Sequence, residues 1–281
     1  MGIGRRGTAS GPGGPLPHPP PKPWRFPPQP REAKFDGKWS VVGKKQENCD
    51  PLDPNDANKG DAWDHIAYDP EHRLVVCVEP GARVGESVEA VVADFKSRTA
   101  GRPMNLITSD EHRPYKDAIL QAYGVEATTT PSGRPVYAPR KVAPPSLCYA
   151  TVHKTRRLGR VTAVVVRLIF GTAAGLAAAL LASRVSKTVN VSFLEREHLT
   201  DRHHNARKRR KTYGFSKSWE SHEAATYFTL YSYNFCCPVR TLRIQSPGQP
   251  WQKRTPAMAA GLTDHVWSLA EWLKFPAVKF A

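Results

Sequence analysis

Cysteine is scarce, with five residues in a chain of 281. They stand at Cys49, Cys77, Cys148, Cys236 and Cys237, and none forms a CxxC pair. That spacing excludes a disulfide-stapled secreted scaffold and gives a structural zinc site no support. Reduced thiols in a cytoplasm are the expectation. Acidic residues are also short, at 25 Asp plus Glu against 41 Lys plus Arg, for a net charge of +16. Such an imbalance points to a polyanionic partner, nucleic acid before an anionic membrane surface. No apolar run follows Arg5 and Arg6, so no signal peptide is expected. No internal repeat is present. Hydrophobic residues make up 40% and charged ones 23%, which suits a globular chain.

Residues 1–34 carry the segment GPGGPLPHPPPKPWRFPPQP. Proline removes backbone donors, and the segment buries too little apolar surface to offset its ordering entropy. A disordered Pro-rich tail is expected there, followed by one folded domain over 35–275 with an insert at about 125–185. Strands are expected at 38–45, 62–69 and 73–79, forming an antiparallel meander. The period then changes, and Val84, Val88, Val91, Val92 and Phe95 recur at helical spacing. A short strand at 105–110 and a helix at 114–123 follow, and 125–146 reads as a looser segment. Strands then helices in this order predict a mixed α/β sheet with helices packed on it.

The apolar stretch 161–183 is long enough to span a bilayer. It divides internally: VTAVVVRLIFG is β-branched, TAAGLAAALLAS is Ala- and Leu-rich, and Arg167 interrupts it. A buried strand and a helix are preferred over a membrane span. Helices are expected from Val191, from 219 to 235, and near the end of the chain.

Three carboxylates stand out by position: Asp36 at the start of the first strand, Asp110 at the end of the fourth, and Glu195 in the basic helix. First and fourth strands can be neighbours in a mixed sheet, with a later helix across them. Such a cluster repels itself unless it holds a cation, and hard oxygen ligands select Mg²⁺ or Mn²⁺. Two such ions can assist cleavage of a phosphodiester.

The blocks FDGKWSVVGKKQENC, GDAWDHIAYD, LITSDEHRPYKDAI, SFLEREHLTDRHHNARKRRKTYGFSK, YSYNFC and TPAMAAGLTDHVWSL resemble transposases of bacterial insertion sequences, the insertion-sequence-one type, over residues 35–272. The resemblance implies a ribonuclease H-like core with a DDE triad at Asp36, Asp110 and Glu195. It implies Mg²⁺ or Mn²⁺ as cofactor, cleavage and strand transfer of double-stranded DNA, and a homo-oligomer on that DNA in the bacterial nucleoid. It also implies a recognition region before the core. The Pro-rich tail stands there, so the copy is expected to be truncated or divergent. Gly37 replaces a family acidic residue, Glu111 a glycine, and Glu197 and His198 a stretch that usually includes Asn. A decayed remnant that only binds DNA is the alternative reading.

Arg196, Arg202, Arg207, Lys208, Arg209, Arg210 and Lys211 follow or flank Glu195 and are candidate phosphate contacts, as are His112 and Arg113 beside Asp110. His198, His203 and His204 match no zinc spacing and are expected on a solvated helix face. Trp219, Tyr227, Phe228, Tyr231 and Phe235 recur at helical spacing and are expected in the core.

Overall fold

The computed structural model describes residues 28–129 and 135–275. Strand β1, Glu32–Val42, is extended because its alternate residues serve two faces. Ala33 and Phe35 bury among apolar partners on one face, while Lys34, Asp36 and Lys38 alternate toward the other. β2, Gly60–Asp69, and β3, Leu74–Gly81, complete an antiparallel meander. Helix α1 spans Gly85–Arg98, β4 Leu106–Asp110, and α2 Pro114–Tyr123, with proline in its first turn. β5, Val125–Thr129, and β6, Pro135–Val142, form a separate hairpin where a loose segment is expected from the sequence.

β7 spans Tyr149–Arg157, β8 Arg160–Phe170, and α3 Ala173–Ala182. α4 is Ser192–His204, α5 Trp219–Cys236, and two short helices, α6 at Pro256–Ala259 and α7 at Leu269–Lys274, follow. The six-stranded mixed sheet has the order β3-β2-β1-β4-β7-β8. β4 runs parallel to β1, β7 runs parallel to β4, and β8 turns back antiparallel at the edge.

Helices flank the sheet, and a main core forms on each face. On one face Phe35, Ala67 and Val76 pack with Val88, Val92 and Phe95 of α1 and with Tyr115 and Ile119 of α2. Phe35 meets Phe95 edge-on at 5.3 Å. On the other, Ile66, Tyr68, Val75 and Val78 pack with Leu194 of α4 and with Leu230, Tyr231 and Tyr233 of α5. Of the five aromatic residues expected in the core, Tyr231 and Phe235 are buried, whereas Trp219, Tyr227 and Phe228 are half-buried.

Three expectations change. Folded structure begins before residue 35, since β1 starts at Glu32; residues 1–27 of the expected tail lie outside the described residues. The strand β7 has no counterpart among the strands expected from the sequence. Finally, 161–183 does divide into a strand and a helix, but neither is buried. No residue of α3 is buried, and Val164 and Leu181 are 55% and 86% exposed. The reason is position: β8 is the edge strand, where Leu168, Leu176 and Leu180 reach a small core around Val152 and Val191 and Ile169 and Phe170 only partly pack against the larger one. No helix among the described residues is long and apolar enough to cross a membrane. All five cysteines are free.

Candidate active site

Parallel pairing fixes the first two carboxylates. Phe35 is in register with Ser109, so Asp36 and Asp110 each stand one residue beyond the same rung of adjacent strands. Asp36 is also in register with Ile66, which belongs to the core under α4 and α5. Side-chain alternation therefore turns Asp36 toward α4. Leu194 is fully buried and seats α4 on the sheet, and the next residue, Glu195, reaches the cleft beside β1 and β4. Asp36, Asp110 and Glu195 line one open cavity of about 620 Å³.

Its electrostatics show that Asp36 feels both of the other carboxylates. Burial first, then the charge of Asp110 and that of Glu195, push Asp36 up to about 8, against the opposing Gly37 N–H and Lys154. Burial raises Asp110 as well, opposed by the His112 N–H and by Arg83. Cations already present share the load. Lys154 Nζ donates to both Glu195 oxygens at 2.7 Å, and Arg83 lies 3.6 Å from Asp110. Arg83 also stacks on the Trp63 ring at 4.4 Å, which fixes its reach.

Two residues that depart from the resembled pattern have physical explanations here. A Cβ at Gly37 would lie 3.2 Å from Trp63 Cε3 and 3.5 Å from His65 Nδ1. The close approach of β2 thus favours glycine, whose N–H donates to Asp36 Oδ1 at 2.8 Å. Glu111 turns to His153 at 2.7 Å and to Arg167, so its charge is paired beside the cleft.

The remaining sequence candidates separate. His112 and the exposed Arg113 line the carboxylate cleft. Arg196 is exposed and lines a different cavity, shared with Tyr68 and Tyr233. Arg202, Arg207, Arg209, Arg210 and Lys211 surround a second cavity, beyond the C-terminal end of α4. Burial, then the charge of Arg210, lower Arg202, although Asp64 and Asp36 oppose the shift.

Lys208 departs from the expectation that RKRRK is a run of phosphate contacts. Its side chain is fully buried, 2.7 Å from Asp64 and 2.5 Å from the Thr226 hydroxyl. Lys38, Asp201 and His222 complete this interior network. Two aspartates and two lysines satisfy each other there, so Lys208 is withdrawn from any polyanion. His198 is likewise not on a solvated face. It is 7% exposed, with Nδ1 3.8 Å from Asp36 Oδ2 and with Nε2 lacking a hydrogen-bond partner. Arg83, His153, Lys154 and Arg156 line the cleft without having stood out in the sequence.

Among the described residues, no group of three or more His, Cys, Asp or Glu side chains is arranged to hold a metal ion as it stands. The donor chemistry nonetheless suits a hard divalent cation. Three carboxylates face one cleft, and Asp36 is raised by burial first and by the charges of Asp110 and Glu195 after it. No family model matches the chain, and no curated protein matches it.

Proposed function

We propose that this chain is a DNA-cleaving and strand-transferring enzyme, a DDE-type transposase of the insertion-sequence-one kind with a ribonuclease H-like core. The observation that carries the reading is the shared cleft of Asp36, Asp110 and Glu195, drawn from β1, β4 and α4. The sheet order, with β1 central between an antiparallel meander and a parallel β4, is the arrangement such a core needs. Asp36, Asp110 and Glu195 would hold Mg²⁺ or Mn²⁺. Bound there, the metal would supply Lewis-acid stabilisation of the phosphoryl charge and a nucleophile at neutral pH.

The protein's own groups supply the rest. Lys154 and Arg83 balance the carboxylates and hold their positions. Arg113 and His112 stand where a scissile phosphate would need donors. The cations around 202–211 continue this positive surface past α4, where the DNA backbone would run. The partner is double-stranded DNA, with a homo-oligomer formed on it in the bacterial cytoplasm.

Incubating the full chain with DNA carrying the element ends and Mg²⁺ or Mn²⁺ should give cleavage at those ends. Salt-sensitive binding without cleavage would instead favour the decayed remnant. A second expected result concerns affinity. Alanine at Arg209, Arg210 and Lys211 together should shallow the slope of log K against log salt by about 0.9 for each duplex phosphate no longer neutralised. An unchanged slope would remove these side chains from the DNA path.

A further inference from the structure

The second cavity lies at the C-terminal end of β1. It encloses about 340 Å³, and its accessible lining is mainly apolar. Trp39, Val41 and Phe215 contribute to its wall, while Arg202, Arg207 and Arg209 stand around it. A carbonyl, not a carboxylate, receives two of these guanidinium groups: Arg202 donates to the Trp39 oxygen and Arg209 to the His203 oxygen, both at 3.5 Å. None of the three makes an ion pair among the described residues. The local chain is held in place from below. Gly43 N–H donates to the Ser216 carbonyl at 2.8 Å, which ties Phe215 to the end of β1, and Lys208 anchors the arginine loop to Asp64.

Positive charge alone would suit any DNA backbone. A duplex groove or phosphate ridge, however, needs exposed cations on an open surface and leaves a recess with apolar walls unfilled. An unpaired nucleotide has both parts: a phosphate for the arginines and a flat apolar base for the recess. The volume suits a ligand of that size. We propose that this cavity takes one unpaired nucleotide of the DNA, with the base against the Trp39, Val41 and Phe215 wall and the phosphate held by Arg202, Arg207 and Arg209. The inference rests on the reading of the chain as a DNA-processing enzyme and extends it. The site selects frayed or single-stranded ends over closed duplex, away from the carboxylates.

The test is binding of the full chain in EDTA, so that no cleavage contributes. Fluorescence anisotropy compares a labelled blunt duplex with the same duplex carrying a short single-stranded fork. The expected result is tighter binding of the fork. Phe215→Ala and Trp39→Ala should each weaken fork binding by about tenfold, the worth of one stacked base, and leave duplex affinity and its salt slope unchanged. Phe215→Tyr and Trp39→Phe should restore fork binding, which separates weakened stacking from misfolding. Equal affinity for fork and duplex, or equal weakening on both, overturns the proposal while leaving the carboxylate site intact. Binding to neither DNA overturns both readings.

Discussion

If the proposed reading holds, replacing Asp110 with asparagine should lower metal-dependent strand cleavage by several kcal/mol of barrier, on the order of 10³-fold. The substitution keeps the shape of the side chain and removes its charge. Asp110 ends β4, is part exposed, and among the described residues meets Arg83 at 3.6 Å and the His112 N–H at 3.3 Å. The fold loses little by the change, so the melting temperature should stay near that of the unmodified chain. Cleavage of end-containing DNA, measured at saturating Mn²⁺, checks the prediction. Full activity in Asp110→Asn removes the catalytic assignment of this residue, and a matching collapse of the melting temperature would make the result structural.

The second large effect is on stability, not chemistry. Lys208→Ala removes one of two lysines from an interior network with Asp64 and Asp201 and leaves those carboxylates under-compensated. Breaking a buried pair from one side costs about 3–5 kcal/mol. At about 2–4 °C per kcal/mol for a chain of this size, the melting temperature should fall by roughly 10 °C. Arg209→Ala, one residue away and exposed, should change it by less than about 2 °C. Equal effects at the two positions would contradict the interior placement of Lys208.

The same network predicts how stability responds to acid. Burial alone would raise Asp64, but Lys208, Lys38 and His222 outweigh it and hold the carboxyl well below its ordinary value of 3.8. The folded state therefore binds this proton less readily than the unfolded one. Its stabilising contribution is complete above pH 3.8 and is lost as pH falls further, through the folded value. Chemical denaturation between pH 5 and the acid limit should show Asp64→Asn losing that part of the acid limb.

The sequence carries the strand periods of β2 to β4 because their apolar residues are flanked by turn residues, and it carries α1 and α2 by helical spacing; β1 begins at Glu32, six residues before the strand expected at 38–45. Asp36 and Asp110 are legible as a pair once those strands are placed. Register supplies what periodicity lacks: that both stand one residue past the Phe35–Ser109 rung. β7 is hard to read because its apolar start at Tyr149 runs into the charged His153, Lys154 and Arg156, which breaks the alternation. Lys154 is hidden with it, although it donates to both oxygens of Glu195.

Charge runs mislead for a related reason. RKRRK gives no local sign that one of its lysines turns inward. The cause lies 144 residues earlier, at Asp64, inside a strand that reads as ordinary. His198 is similar, since its burial follows from how α4 lies on β1 and not from its neighbours in sequence. The exposed β8 and α3 mark the opposite failure. Apolar composition predicts burial, but the edge of the sheet offers them few partners.

The central claim is that Asp36, Asp110 and Glu195 form one site for a divalent cation. Titration of Mn²⁺ into the full chain, followed by electron paramagnetic resonance, tests it directly. The predicted result is saturable binding that weakens in each of Asp36→Asn, Asp110→Asn and Glu195→Gln, while Glu111→Gln binds as the unmodified chain does. No saturable binding, or binding that all three substitutions leave unchanged, would contradict the claim.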